Sequence, residues 1–176
     1  MNQRKIILYI ACSVDGYIAG PNDNLDFLSM VERPSEDYGY QKFTDTIDAV
    51  IMGRKTYDKV LSFGIPFPHS GRNCFVVTKT KTGKTEHVTF WNSDPDILVR
   101  ELLKQPGKDV FVDGGASLVD ALMKHNLIDR YIISTIPVFI GDGIPLFKPG
   151  RPAIQLKHLQ TNFYPSGLVQ TWYDRI

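Results

Sequence analysis

A chain of 176 residues with a formal net charge of +1, 43% hydrophobic and 22% charged residues has the make-up of one ordinary globular domain, residues 1–176, that buries its core without disulfides or metal. The near-neutral balance gives no reason to expect nucleic acid or membrane as a partner, and no run approaches the roughly 20 apolar residues of a membrane helix. Cys12 and Cys74 lie in or beside apolar runs and read as buried thiols of a cytoplasmic protein. The histidines at 69, 87, 125 and 158 are scattered without ligand spacing, so no metal site is expected.

Residues 5–12 form a continuous apolar run between polar flanks, the pattern of a strand buried on both faces. Ser13 and Asp15 interrupt the run, and no small-residue cleavage site follows, which favours a first strand over a signal peptide. Residues 13–26 are rich in turn formers (Gly16, Gly20, Pro21, Asn22, Asp23, Asn24) and read as a long binding loop or lid. Within it, Asp15 is expected to bond loop amides. Residues 35–46 place Tyr38, Tyr40 and Phe43 at helical spacing, with Ser35 as N-cap. A strand at 49–52 meets Gly53-Arg54-Lys55-Thr56 and a helix to about Ser62, then an irregular loop at 63–72 holding Pro66 and Pro68.

A strand at 74–78 ends in a basic polar loop, 78–84, and residues 88–91 read as a short strand. Asp94-Pro95 looks like a cap and first helical residue, and Pro106-Gly107 stops that helix. At 110–122 a β-branched run ends in Asp113, two glycines and a small-residue helix start. A strand at 130–138 ends at Pro137, a glycine-rich turn covers 140–147, and strands at 154–163 and 168–175 flank Pro165-Ser166-Gly167 as a hairpin. Strands alternating with helices, then a hairpin, predict an α/β domain with a mostly parallel sheet and an antiparallel edge.

Three strand ends carry groups suited to phosphate. Helix N-termini expose N–H groups without internal partners, and glycine lets a ligand approach the main chain. Gly53-Arg54-Lys55-Thr56 adds two cations and a hydroxyl, Thr78-Lys79 a hydroxyl and a cation, and Gly114-Gly115-Ala116-Ser117 bare backbone and a hydroxyl. A doubly charged 2′-phosphate needs such compact donors. The alternative is a solvated helix start, although cations there oppose the helix dipole. Tyr38, Tyr40, Phe43 and Tyr57 suit either a core or a stacking surface for a flat ring.

These segments resemble a known family. Val50-Ile51-Met52-Gly53-Arg54-Lys55-Thr56-Tyr57 looks like the cofactor signature of the dihydrofolate reductase superfamily, and residues 110–118 look like its strand–Gly-Gly–helix segment. Ser13-Val14-Asp15-Gly16-Tyr17-Ile18-Ala19 and Gly141-Asp142-Gly143-Ile144-Pro145-Leu146-Phe147 resemble the branch that holds the reductase domain of bacterial riboflavin biosynthesis and its stand-alone relatives. The resemblance implies a three-layer sandwich around a mostly parallel mixed sheet of about eight strands, NADPH as hydride donor, a cis peptide between the two glycines, and a homodimer.

By position it implies that Ala11 and Ile18 line the nicotinamide pocket. Gly53, Arg54, Lys55 and Thr56 would hold the pyrophosphate and adenosine side, and Thr78 and Lys79 the 2′-phosphate. Gly114, Gly115, Ala116, Ser117 and Leu118 would pack against the pyrophosphate. The acid that meets the substrate falls at Asp37, with Asp26 next, although Asp37 equally suits a helix start. Lys42 and Arg72 are the cations left for a substrate phosphate. The implied function is reduction of a small planar heterocycle, pterin- or pyrimidine-like. The rivals are a non-catalytic NADP(H)-binding module and a flavodoxin-like domain that binds flavin mononucleotide.

Overall fold

Apolar runs without alternation belong at the centre of a sheet covered on both faces, and that is where they lie. The structure, a computed structural model, describes residues 4–176, so the first three residues of the polar lead-in fall outside the described residues. In chain order the elements are β1 (Ile6–Ser13), β2 (Tyr17–Ala19), α1 (Tyr40–Thr44), β3 (Ile47–Gly53), α2 (Arg54–Ser62), β4 (Asn73–Val77), β5 (Gly83–Lys84) and β6 (Val88–Trp91). There follow α3 (Pro95–Leu103), β7 (Asp109–Gly114), α4 (Ala116–Lys124), β8 (Arg130–Ile136), β9 (Ile144–Pro145), β10 (Leu156–Phe163) and β11 (Val169–Arg175).

Nine strands form the main sheet in the order β10-β11-β8-β1-β7-β3-β4-β6-β5. The pairs from β8 to β6 are parallel, whereas β11 runs antiparallel to β8 and to β10. The ninth strand, beyond the eight expected, is the two-residue β5, which pairs antiparallel with β6 at the edge.

Alternate side chains of the central strands feed two cores. Ile6, Leu8, Cys12, Ile51, Val110 and Val112 pack with Leu98, Val99, Leu118 and Leu122 of α3 and α4. Ile7, Val50, Met52, Cys74, Val76 and Phe111 pack with Phe43 of α1 and Tyr57 of α2 on the other face. The helices therefore form the outer layers of a three-layer sandwich. Both cysteines are buried free thiols and belong to opposite faces. At a fully buried position such as Ile51, truncation to alanine costs about 2–5 kcal/mol.

Two expectations need correction. The helix expected over 35–46 is only Tyr40–Thr44, because Ser35 (φ 66°), Tyr38 (φ 57°) and Gly39 (φ 80°) hold left-handed backbone conformations that no α-helix contains. The loop expected over 13–26 and the turn expected over 140–147 each contain a short strand, β2 and β9. β2 and β9 pair as a second, two-stranded antiparallel sheet.

Candidate functional site

Parallel strands bring their carboxyl ends to one edge, and there β3 and β7 lie side by side with Met52 opposite Gly114. Each runs directly into a nine-residue helix, α2 or α4. The N-cap residues, Gly53 and Gly115, give neither helix a side-chain cap, so the first N–H groups of both point outward at the same edge. The two junctions touch. A Cβ on Gly115 would stand 3.3 Å from Thr56 Oγ1, and one on Gly53 would stand 3.5 Å from the Gly115 nitrogen. The Gly114–Gly115 peptide is cis. Two helix N-termini, a hydroxyl and glycine backbone thus meet in one cradle, whose dipoles would favour an anion.

Cations surround this cradle. Arg54, a third exposed, is held by both oxygens of Asp58 one turn later at 2.8 Å. Lys55 is exposed on the first turn of α2. Lys148, which follows the glycine-rich turn, donates from Nζ to Ser117 Oγ at 2.9 Å and so adds a cation to the start of α4. Leu118 and Ala116 are buried, leaving Ser117 as the exposed side chain of that turn. Farther along the edge, Thr78 is buried where its N–H bonds the Trp91 carbonyl at 2.9 Å, and Lys79 is exposed beside it.

Ala11 and Ile18 stand on either side of the β1–β2 turn. Ala11 packs toward Phe27 and Val31, and Ile18 toward the α3/α4 core. The turn is pinned as expected of Asp15. Its carboxylate accepts from Ser13 Oγ and from the Gly141 amide (2.8 Å), and these bonds hold its pKa below the usual carboxylate range. The Leu146 amide bonds the Gly16 carbonyl at 2.8 Å, and any Cβ on Gly143 would collide with the Ala19 carbonyl. The lid and the glycine-rich turn are one unit.

The substrate side differs from expectation. Asp37 is exposed, and its two oxygens accept the Gly39 and Gln41 amides at 2.9 Å, so it closes the start of α1. Those bonds lower its pKa, and a carboxyl held ionised is a poor proton source. Asp26 opens the 3-10 segment Asp26–Val31, with Asn24 Nδ2 on its Oδ2 at 2.8 Å. It lines a cleft of about 680 Å³ between that segment and Lys59 and Phe63 at the end of α2. Arg72 lies at the opposite edge of the sheet, donating to the Thr44 carbonyl at 3.1 Å, beside a cavity of about 510 Å³. It is therefore not a substrate-phosphate ligand near the cradle.

Three groups with chemistry were not singled out from the sequence. Asp113 directly precedes the glycine pair, half-buried, on the α1/α2 face of β7 with Phe111. The β1–β7 register ends at Leu8 and Val112, and against β3 the register shifts at Asp113, between Val112 and Gly114. The Asp113 charge, second to burial, helps raise the pKa of the Tyr40 phenol, and Tyr40 meets Tyr9 edge-on at 5.7 Å. The Tyr9 phenol is pushed up to about 12, chiefly by burial. Tyr40 thus lies near the Asp113 carboxylate that precedes the glycine pair, and Tyr9 packs against Tyr40. The signal for Asp113 was an acid at a strand end; nothing in the sequence pointed Lys148 at Ser117.

The model of the RibD C-terminal domain matches residues 67–169. The chain belongs to the RibD C-terminal domain family. The uncharacterized protein YwjB of Bacillus subtilis (strain 168) is 41% identical over 146 residues, covering 82% of this chain and 83% of its own length. Among solved structures, a Shewanella sp. PV-4 protein named for riboflavin biosynthesis superposes with a TM-score of 0.90 at 29% identity, covering 98% of this chain and 99% of that one. Enterococcus faecalis dihydrofolate reductase, solved with NADP(H), matches with a TM-score of 0.67 at 17% identity over 98% and 97% of the two chains. That last likeness shows the fold, and it bears out the dihydrofolate reductase-like sandwich expected from the sequence.

Proposed function

We propose that this RibD C-terminal-domain protein is an NADPH-dependent reductase of a small planar heterocycle, pterin- or pyrimidine-like. The observation that carries the reading is the contact between the two strand–glycine–helix junctions, Gly53–Thr56 and Gly114–Leu118. The cradle fits a pyrophosphate: it offers uncapped N–H groups of two helices, and a side chain at Gly115 would press on Thr56. Lys55 and Lys148 supply charge on either side, and Arg54 does so once it exchanges Asp58 for the ligand. Thr78 and Lys79 would take the 2′-phosphate, and Ala11 and Ile18 would flank the nicotinamide. When bound, the cofactor supplies the hydride.

This chain's own residues position the acceptor and exclude water. In this reading Tyr9 and Tyr40 offer flat apolar faces beside the cradle, and Asp113 offers one hydrogen-bonding group. Asp26, on the rim of the 680 Å³ cleft, is the carboxyl we retain as the source of the proton, through water; Asp37 is assigned to capping. No helix among the described residues is long and apolar enough to cross a membrane, and we place the protein in the cytoplasm. A homodimer is part of the reading, supported by Phe139 and Phe163, which are 75% and 78% exposed.

The test is NADPH oxidation followed by absorbance with dihydrofolate and with 5-amino-6-(5-phosphoribosylamino)uracil as acceptors. Turnover of either supports the reductase. Tight NADPH binding without turnover of any pterin or pyrimidine would favour the non-catalytic binding module, and a yellow purified protein the flavin-binding one.

A further inference from the structure

Arg72 carries a charge that the cradle does not use. It lines the cavity of about 510 Å³ at the amino ends of β7, β3 and β4, together with Thr44, Asp45, Asp48, Ser70 and Lys108. The cradle lies at the carboxyl ends of the same strands. β3 has seven residues, so about 20 Å of strand separates the two places.

Two cationic heads meet consecutive carbonyls at this cavity. Arg72 Nη2 donates to the Thr44 carbonyl at 3.1 Å, and Lys108 Nζ to the Asp45 carbonyl at 2.9 Å. Those carbonyls end α1, and cations suit a helix C-terminus. Capping explains where the heads lie but not their charge. A helix end carries roughly half a negative charge, and α1 has only five residues. The nearby carboxylates do not make up the difference. Asp48 is already matched by the buried Arg4, and its second oxygen accepts the Lys108 amide at 2.9 Å. Asp45 is exposed and accepts from Gln41 Nε2 at 3.1 Å. Among the described residues neither Arg72 nor Lys108 makes an ion pair. Arg72 and Lys108 against Asp45 leave the cavity a net positive charge.

We propose that this cavity is a second anion site, separate from the cofactor cradle, which takes a phosphate monoester between Arg72, Lys108 and Ser70. Arg72 keeps Nε and Nη1 free of protein acceptors among the described residues, Lys108 keeps two N–H groups, and Ser70 keeps its hydroxyl. Donors from separate segments suit the three oxygens of a phosphate better than the two of a carboxylate. Gly71, at φ 88°, has nothing within 4 Å of where a Cβ would stand, so the main chain between Ser70 and Arg72 is open to a ligand. The site stands apart from the reductase reading.

The test is a titration with inorganic phosphate at constant ionic strength, followed by amide chemical shifts of the full chain with NADPH present. The Ser70, Gly71 and Lys108 amides should shift together and saturate, with a Kd on the order of 1 mM. Acetate should bind at least about fivefold more weakly. Arg72→Ala and Lys108→Ala should each weaken phosphate at least about fivefold and leave NADPH affinity unchanged. Shifts that stay linear with phosphate, or that saturate equally in both variants, overturn the proposal; acetate binding as tightly as phosphate overturns the phosphate assignment. Should Arg72→Ala fail to fold, Lys108→Ala decides, because Lys108 is exposed. A wild type that does not bind NADPH defeats the reductase reading, whereas the phosphate titration alone decides this one.

Discussion

The proposed cofactor cradle and the proposed substrate wall are built in opposite ways. The cradle is local: each half is a strand, a glycine and a helix start within about ten residues, and its donors are mostly backbone. The wall is collected from distant parts of the chain. Gln170 is 1% exposed on β11; its amide nitrogen shares two hydrogens among Tyr9 Oη (2.8 Å), the Tyr38 carbonyl (3.1 Å) and Ser134 Oγ (3.2 Å), and its amide oxygen accepts from Trp172 Nε1 (2.8 Å). Tyr9 Oη donates to the same Tyr38 carbonyl at 3.0 Å, and the Tyr38 hydroxyl bonds Ser166 at 2.9 Å and the Val31 carbonyl. The lead-in to α1 is thus held by side chains of β1 and β11. A backbone cradle tolerates changes of side chain but not of volume; a side-chain wall fails when one hub is lost.

That contrast can be broken by experiment. The largest effect should come from Gly115→Val, whose branched side chain enters the space 3.3 Å from Thr56 Oγ1. We expect NADPH affinity to fall roughly 100-fold with folding retained, measured by fluorescence titration. Near-normal binding would mean that the junction contact is not the cradle. Gln170→Leu should do the reverse. It leaves several buried polar groups unpaired, so urea denaturation should show a loss of about 2–4 kcal/mol while cofactor binding in the folded fraction persists.

A smaller effect tests the clasp on the far side of the wall. Asp174 accepts from Arg130 (2.6 and 2.9 Å) and Lys5 (2.8 Å), and the Arg130 bond first, then Lys5, holds its pKa at about 2. Because the folded value lies below the unfolded one, the stabilisation is complete above about pH 4 and lost as pH falls through about 2. Melting curves of wild type and Asp174→Asn should therefore converge over that window; a constant offset would refute the clasp. The smallest effect is expected for Asp37→Asn. An asparagine oxygen still accepts an α1 amide, so NADPH binding and turnover should stay close to wild type, whereas a large loss of turnover would return Asp37 to catalysis.

Legibility in the sequence follows the same division. Residues 50–57 and 110–118 could be read because strand, glycine and helix signals are adjacent and each has a local cause. The alternation of strands with helices and the terminal hairpin were legible for the same reason, in periodicity and turn residues. The helix over 35–46 was not, since Ser35 and Tyr38 hold left-handed backbone and Tyr38 is tied by tertiary hydrogen bonds that spacing does not encode. Nor could Lys148 be matched with Ser117, 31 residues away, or His69 with Asp113, 44 away. Asp113 was in plain view at the end of an apolar run, but its neighbours His69 and Tyr40 come from distant parts of the chain.

The central claim is that the edge of β3, β7 and β4 binds NADPH through its phosphates. Trp91 is a reporter in place, its carbonyl bonded to the Thr78 amide at the expected 2′-phosphate position. Titration of NADPH against NADH by tryptophan quenching, on wild type and Lys79→Ala, tests the claim most directly. The wild type should prefer NADPH by at least about tenfold, and Lys79→Ala should lose most of that preference while still binding both. Equal affinity for the two cofactors, or no binding of either, would contradict it.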